Sequence, residues 1–440
     1  MNVLPWFDRE TWRLDRYEWM LVAAGSLGVG LVTVIAWSTP FATFLFLVLP
    51  AVLLFITGQP LGQLELTRLG VWAGITILYV TLSIFWSADF MWTLDALWPL
   101  YGSIAAVGLG LSAFRAPPVN WLAHLCRAAL ISYCICLSFA LIEQTTDHAI
   151  KRILFWPFQA IHLVDGDIAI NWEHVSKVRP HRSNWSVTLL IFLAWPLLIF
   201  LETQLKPAEF RIGRLLLMLA LAATVLQSDH QSAMVAYVAG WIIFAIARLN
   251  FRIAVLLTAF AWVAAFIIFI PITKLAYQND LHLSEQQLPA SFRHRIVLWK
   301  FTVDKIAEKP VFGVGAGATH PLNEARKDVA EKVPGTDFLM ETGTHAHNIY
   351  LQVLYELGIV GTVLLAILGL LVIAAIFSLG QNMNGSYFLA LFATWAAQSG
   401  FSFGLFEAWY VFAITFAVCL AIAAQSHWIL VRSTAYQRKF

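Results

Sequence analysis

Long apolar runs recur along the whole chain, separated by short polar turns and by two long polar segments. The runs cover residues 20–37, 41–57, 68–86, 92–112, 121–141, 185–201, 213–227, 232–248, 253–272, 357–379, 385–403 and 408–425. Most approach the roughly 20 residues that a helix needs to cross a bilayer. None shows the alternating ten-residue segments of a membrane barrel. Because backbone groups in lipid must be paired within their own segment, the pattern predicts an all-α, polytopic fold with about twelve transmembrane helices.

The two long polar segments cover residues 142–184 and 273–347. No internal repeat or low-complexity linker separates domains elsewhere in the chain. We therefore expect a single membrane domain over residues 1–440 that carries two insertions. Loops of this length within a compact fold are usually functional.

Lys and Arg near the ends of the runs indicate the orientation. With the N-terminus in the cytoplasm, the short external turns at 38–40, 87–91, 228–231 and 404–408 hold no Lys or Arg. The remaining external basic residues then fall in the two long insertions, and long segments cross a membrane largely regardless of charge. The sequence thus predicts that both chain ends are cytoplasmic and both insertions external.

The composition agrees with a membrane protein. Hydrophobic residues make up 60% of the chain and charged residues 12%, against about 25% charged residues in soluble domains. The mean hydropathy is +0.72, so membrane lipids are expected partners. A net charge of +2 gives no case for nucleic acid. The four cysteines lie within apolar runs, which argues against a disulfide or zinc framework and against a catalytic thiol.

An amphipathic helix is predicted in the larger insertion, from Ser291 to Lys309, where apolar residues recur at helical spacing. Ser291 is the expected N-cap, and Pro310 with the following "GVGAG" ends the helix. Arg295 then lies in the first turns, where a guanidinium and a helix N-terminus together suit a phosphate group. Trp299, one turn later, could brace Arg295. An interfacial helix whose arginines reach towards water is the alternative.

The stretch "GVGAG" superficially suggests a phosphate-binding loop. It lacks a following Gly-Lys-Ser/Thr, and no strand precedes it, so turn chemistry is the favoured interpretation.

Two histidines, His345 and His347, stand where the larger insertion meets the tenth apolar run. An H-x-H pair without a cluster of acids or cysteines is weak evidence for a metal site, and we expect none. An imidazole beside arginines and a helix N-terminus should have a lowered pKa. It would then be neutral and able to accept a proton from a hydroxyl. A histidine that only caps the helix is the alternative.

The residues from His347 onwards carry a family resemblance. His347-Asn348, nine residues, Gly358, two residues and then Gly361-Thr362 resemble the H-N-x9-G-x-x-G-T signature of O-antigen ligases, members of the bacterial O-antigen ligase/polymerase superfamily. We expect both glycines to be bending or close-packing points of the helix. The R-x-x-x-W element of that superfamily is similar to Arg295 with Trp299, and "PVFGVGAG" is similar to the glycine-rich stretch that follows it.

Two further elements bear on the resemblance. Arg182 and Asn184 fall where the family has a basic residue and an asparagine before a span. Many superfamily members carry Ser-Arg-Gly at the outer end of a middle span. At the corresponding place, around Ser228 and Ser232, this chain reads "QSDHQSAMVA" and has no arginine. If that arginine contacts pyrophosphate in relatives, His230 or the basic residues of the first insertion are candidates to replace it.

The resemblance implies a membrane glycosyltransferase with a GT-C-like fold in the bacterial inner membrane. Its active site would face the periplasm, as would both insertions. It would transfer a glycan from undecaprenyl pyrophosphate to a sugar hydroxyl of lipid A–core in lipopolysaccharide biosynthesis, with inversion and without metal or cofactor.

The resemblance also implies roles for individual residues. Arg182 and Arg295 would hold the pyrophosphate, whose charge arginines can stabilise without a metal. His347 would activate the acceptor hydroxyl. The other candidates for substrate binding are Trp299, Asn348, His345, Asn184 and Arg293.

Three other functions remain open from the sequence. A polymerase of the same superfamily or a protein O-oligosaccharyltransferase would share the donor and the chemistry. A twelve-helix transporter or flippase would instead place charges near the bilayer midplane. The charges within runs are sparse, chiefly Asp95, Arg127 and Glu407, and all lie near the ends of runs.

Overall fold

The computed structural model describes residues 14–34, 38–59, 62, 67–115, 118–146, 180–228, 230–381 and 384–437. Apart from one antiparallel bridge between Lys332 and Leu339, regular structure in these residues is helical. The helices are α1 Arg16–Val34, α2 Thr39–Ile56, α3 Arg68–Leu82, α4 Phe90–Phe114, α5 Val119–Thr145, α6 Pro180–Gln204, α7 Pro207–Gln227, α8 Gln231–Leu249, α9 Phe251–Gln278, α10 Ala290–Ile306, α11 Thr319–Glu324, α12 Ile349–Leu379, α13 Gly385–Ser399 and α14 Ala408–Gln437.

Each predicted span coincides with one of these helices. Within the described residues, nine segments are long and apolar enough to cross a membrane: α2, α3 with the turn after it, α4, α5, α6, α8, α9, α12 and α14. The helices α1, α7 and α13 occupy the other three predicted spans but do not meet the same criteria. The all-helical, multi-pass membrane architecture is thus confirmed, while the count of twelve stays a prediction.

The chain divides into two compact units. Unit 1 contains Met1–Leu64, Ala105–Tyr237 and Phe412–Phe440, and unit 2 contains Glu65–Ile104 and Val238–Val411. The prediction of one domain over residues 1–440 stays a prediction.

Unit 1 is organised around α5 and α6. Helix α1 packs along α5, which also contacts α6 and α7. The hydroxyl of Tyr133 donates to the carbonyl of Leu190 at 3.0 Å, so two buried helices are joined by a satisfied polar group. The middle of α6 is buried on all sides, as expected for a helix that is apolar around its whole circumference.

Unit 2 carries the larger insertion, and its core is aromatic. Helices α9 and α12 pack together, and α3, α10 and α13 pack against α12. Trp262 is 2% exposed; its ring lies edge-on to Tyr350, with centroids 5.6 Å apart. Its indole N–H donates to the carbonyl of Ala366 at 3.0 Å. The polar group of this large side chain is therefore satisfied inside the core.

Helix α12 is broken at Gly358, which has φ +65° and ψ −166°. The stretch that follows Pro310 fills the break: Ile359 N–H donates to the Pro310 carbonyl at 2.9 Å, and Gly315 N–H donates to the Glu356 carbonyl at 2.8 Å. A Cβ on Gly358 would collide with the backbone of Val311. The expected bend thus lies at Gly358, because only glycine fits both this backbone conformation and this close approach.

The two insertions differ in how much of each is described. Most of the first, residues 147–179, lies outside the described residues. Helix α9 continues to Gln278, into the segment predicted as the second insertion. The amphipathic helix predicted in that insertion is present as α10, but the expected N-cap at Ser291 is wrong. The N-cap is Pro289, whose fixed φ of −60° leads the chain into the first turn, and Ser291 lies inside that turn.

Candidate active site

The residues His345, Ala346 and His347 form a short loop that leads into α12. Asn348 caps the helix: its Oδ1 accepts from the N–H groups of Tyr350 at 3.0 Å and Leu351 at 3.1 Å. Asn348 is fully buried. Two of the four unpaired N–H groups at the start of α12 are thereby satisfied. The His-Asn pair therefore places a histidine immediately before a fixed helix start.

Trp299 fixes this loop from the other side. Its indole N–H donates to the carbonyl of Ala346 at 2.9 Å. Its ring is 3% exposed and packs edge-on against Phe269 and Phe292, with centroids 5.9 Å away in each case. The ring thus holds the histidine loop against α10, a role different from the expected bracing of Arg295.

His347 has a left-handed backbone, with φ +51°, which is uncommon for a residue other than glycine. Its Nδ1 lies 2.5 Å from the carbonyl oxygen of Ser402. A carbonyl can only accept, so Nδ1 carries the proton and donates. In the neutral ring, Nε2 is then the unprotonated nitrogen.

The pKa of His347 is lowered well below its ordinary value. Burial is the largest cause, and the positive charges of His345 and Arg295 add to it, against the opposing hydrogen bond with Ser402. The direction agrees with the one predicted from the sequence. It means that the ring is neutral at pH 7, and that Arg295 lies close enough for its charge to act on it.

The pKa of His345 is shifted in the opposite direction. Its Nδ1 lies 3.0 Å from Oε1 of Glu407, and its Nε2 lies 3.1 Å from Nδ1 of His347. Burial lowers the pKa of His345, but the Glu407 carboxylate and the Ser402 carbonyl outweigh it and raise this pKa above its ordinary value. His345 is therefore the more easily protonated of the two rings.

Glu407 was missed as a functional candidate in the sequence. Its carboxylate also accepts from Gly404 N–H at 3.2 Å and from the indole of Trp409 at 2.8 Å. Burial alone would raise its pKa, but the charge and hydrogen bond of His345 lower it. The sequence offered no distinguishing signal, since three of the four short turns without Lys or Arg contain an acid: Asp89, Asp229 and Glu407.

A second buried network of hydrogen bonds is centred on Glu356 of α12. Glu356, fully buried, accepts from Gly317 N–H at 2.8 Å and from the N–H and hydroxyl of Thr319. Gln352, one turn earlier in α12, donates to Glu356 at 3.2 Å and accepts from Leu405 N–H at 3.0 Å. The glycine-rich stretch is therefore fixed to α12 and, through Gln352, to the turn that holds Glu407. This supports its interpretation as turn chemistry.

Arg293 has a different environment from Arg295. Its Nη1 lies 3.2 Å from Oε1 of Glu285, and its guanidinium lies 5.6 Å from the centre of the Phe338 ring. Arg295, by contrast, forms no ion pair or hydrogen bond with any side chain or backbone group within the described residues. The two arginines of α10 are thus not equivalent.

The remaining predicted residues belong to unit 1. Arg182 lies in the first turn of α6, and its side chain is outside what the structure describes. The carbonyl of Asn184 lies 3.0 Å from Nδ1 of His230, which is 5% exposed. His230 therefore already binds the start of α6.

No group of three or more His, Cys, Asp or Glu side chains that could hold a metal is found in the described ranges. The polar atoms in contact with His347 are instead the carbonyl oxygen of Ser402 and Nε2 of His345.

Residues 216–366 of the chain match a family model described as O-Antigen ligase. The matched segment contains Arg295, Trp299, His345 and His347, the residues that the structure brings together. The chain is similar to the O-antigen ligase family over these residues, which make up about a third of its length. Arg182 and Asn184 lie before the part of the chain that matches the family.

Individual proteins are also similar to this chain. Three proteins, each named "Putative polysaccharide ligase", come from Rickettsia conorii, Rickettsia typhi and Rickettsia felis. The first is 22% identical over 69% of this chain and 67% of its own length. The second and third are 30% and 27% identical over 40% of this chain and 42% of their own lengths. The similarity to the last two thus spans less than half of either protein.

Proposed function

We propose that this protein is an O-antigen ligase that transfers a glycan from undecaprenyl pyrophosphate to a sugar hydroxyl of lipid A–core. The reaction would take place on the periplasmic face of the bacterial inner membrane. The observation that carries the proposal is a neutral His347 beside Arg295, a cation that the described part of the chain leaves without an anionic partner.

His347 is the base in this proposal. With Nδ1–H donated to Ser402, Nε2 accepts the proton of the acceptor hydroxyl as its oxygen attacks the first sugar carbon of the donor. The new bond joins that oxygen to the carbon, and the bond that breaks joins the carbon to the pyrophosphate oxygen. Attack opposite to the leaving group inverts the configuration. The electron pair leaves with the pyrophosphate.

Arg295 stabilises that leaving group. Burial lowers its pKa from the ordinary value, but an arginine remains protonated in proteins. Its planar guanidinium offers paired N–H donors that match two phosphate oxygens. Arg182 is the second pyrophosphate ligand of the proposal. The other predicted contacts, from His345, Asn348, Trp299, Asn184 and Arg293, are part of the same proposal.

An apolar groove within unit 2 supports a lipid-linked donor. A cavity of about 370 Å³ lies among α8, α9, α12 and α13 and is lined almost only by apolar side chains. Phe269 and Phe401 line it, and their rings pack against Trp299 at centroid distances of 5.9 and 6.1 Å. The groove is thus continuous with the tryptophan that holds the histidine loop. A polyprenyl chain lying there would bring its pyrophosphate towards Arg295.

The test is the lipopolysaccharide of a strain that lacks the protein, separated on a gel. A ligase predicts that all glycan-capped lipid A–core disappears while lipid-linked polymer accumulates. A single capped repeat unit would indicate a polymerase instead. Unchanged lipopolysaccharide, with uptake of a substrate into vesicles that lack any acceptor, would indicate a transporter.

A further inference from the structure

The larger insertion contains a polar cavity of about 230 Å³ that the proposed reaction does not use. It lies between α10, the segment around α11, the strand-like hairpin at 331–340 and the outer turns of α12. The side chains that matter most are Phe301, Lys305, Asn323, Arg326, Glu341 and Tyr355. Glu331 and Thr342 also line the cavity, so that it combines two cations, two carboxylates and two hydroxyl groups.

Hydrogen bonds fix the part of the cavity wall that contains Asn323, Glu341 and Thr342. Asn323 is 8% exposed and Thr342 is 2% exposed. Thr342 N–H donates to Oδ1 of Asn323 at 3.2 Å, and Nδ2 of Asn323 donates to Oε2 of Glu341 at 3.3 Å. The carboxylate of Glu341 is therefore fixed at the cavity with spare acceptor positions. Carboxylate oxygens at fixed positions are suited to sugar hydroxyl groups.

Tyr355 supplies a polar group that has no partner. The residue is 5% exposed and packs in an apolar cluster with Trp299 and Val303. Its hydroxyl, however, makes no hydrogen bond to any described residue, and the residue lines the cavity. The hydroxyl of a buried tyrosine usually has a partner, so this group is available to a ligand in the cavity.

The two cations converge on one ring. The Lys305 ammonium lies 5.6 Å from the centre of the Phe301 ring, and the Arg326 guanidinium lies 6.0 Å from it. Lys305 is neutralised by Glu308 at 2.5 Å. Arg326 has no ion pair with a described residue. Because its guanidinium is not paired with a carboxylate, Arg326 is suited to bind a phosphate or carboxylate in the cavity through paired N–H groups.

The cavity lies a short distance from the proposed reaction centre. From Arg295 to Lys305, α10 rises ten residues, or about 15 Å. On the other wall, Thr342 precedes His347 by only five residues. This separation suits a sugar that is bonded to the reacting sugar through one or two others.

We propose that this cavity binds a sugar residue that carries an anionic substituent, a phosphate or a carboxylate, and that belongs to one of the two glycan substrates. The inference rests on the proposed glycan transfer. Arg326 binds the anionic group, and Glu341 and Tyr355 bind hydroxyl groups. The cavity thus selects substrates by a sugar that does not react.

The test is direct binding to the purified full-length protein, which does not depend on transfer. Three probes are compared by isothermal titration: a delipidated core oligosaccharide with its phosphate groups, the same oligosaccharide after phosphatase treatment, and the free O-glycan. Arg326→Gln should weaken the binding of one anionic probe about tenfold or more, as expected for a lost hydrogen bond between charged groups. Tyr355→Phe should weaken the same probe by a smaller factor.

The pattern identifies the source of the sugar. A loss confined to the phosphorylated core indicates the acceptor, and a loss confined to an anionic O-glycan indicates the donor. Lys332→Gln is the matched control, because Lys332 is a 70% exposed lysine of the neighbouring hairpin that pairs with Asp337 away from the cavity. Binding that is absent, or that Arg326→Gln leaves unchanged, would overturn the inference. Failure of wild-type protein to transfer glycan in a separate assay would instead refute the proposed function.

Discussion

The Nδ1 atom of His345 lies 3.0 Å from Oε1 of Glu407, and the other nitrogen of the same ring lies 3.1 Å from Nδ1 of His347. The carboxylate thus acts on His347 through His345. The positive charge of His345 lowers the pKa of His347. The Glu407 carboxylate raises the pKa of His345 and so favours that positive charge. Glu407 is therefore a positioning residue for the proposed base.

The first prediction concerns the pH profile of Glu407→Gln. In wild type, kcat/KM should fall at low pH as His347 becomes protonated, below pH 6.5 because its pKa is lowered. Without the carboxylate, the pKa of His345 drops, so His345 contributes less positive charge and the pKa of His347 rises. The acid limb of the pH–rate profile should therefore move to higher pH, and kcat/KM on that limb should fall about tenfold for each pH unit that the limb moves.

The measurement is a glycan-transfer assay across pH with purified protein. Glu407→Asp keeps the charge and should restore part of the profile. A uniform loss of rate with the acid limb unmoved would show that Glu407 only supports the local structure.

The second prediction is that His347→Ala loses transfer about 10²- to 10⁴-fold, the usual contribution of a general base. Donor binding should change little, because Arg295 is untouched. The variant is compared with wild type at equal expression in a ligation assay. Substantial remaining activity would contradict the role of His347 as base.

Arg295→Lys gives the third prediction. A lysine keeps the charge but loses the paired N–H donors, so kcat should fall by about 10- to 100-fold. The matched control is Lys300→Arg on the same helix, since Lys300 pairs with Asp304 at 2.5 Å and should tolerate the exchange. Full activity in Arg295→Lys would show that a point charge suffices and would exclude bidentate binding.

The sequence could predict most of the helices and the core of the site, but not the contacts that join distant segments. Apolar runs define helices locally, whereas Arg295, Trp299 and His347 were singled out by their resemblance to a family signature. The pairing of His345 with Glu407 joins residues 62 positions apart in the chain. The hydrophobic pattern of neither segment indicates this contact. The N-cap at Ser291 was wrong for a local reason, because Pro289 starts the helix without a side-chain hydrogen bond.

The fourth prediction tests the hydrogen bond from Trp299 to Ala346. Trp299→Phe keeps a ring in the apolar cluster but removes the donor, so the histidine loop loses its anchor to α10. We expect kcat/KM to fall about two- to tenfold, the value of one neutral hydrogen bond. Trp262→Phe is the control, since it loses an equivalent bond to Ala366 in the helix core. It should lower thermal stability without a comparable effect on the rate.

The last prediction concerns the break in α12. Gly358→Ala adds a Cβ at φ +65°, where it would meet the backbone of Val311. A strained backbone of this kind costs about 1–3 kcal/mol before the collision is counted. The apparent melting temperature in detergent should fall clearly. Gly74→Ala, in α3 with no atom within 4 Å of the new methyl group, should leave it unchanged or raise it. Equal melting temperatures of the two variants would show that α12 accommodates the added methyl group. The packing of the glycine-rich stretch against α12 would then not depend on glycine at position 358.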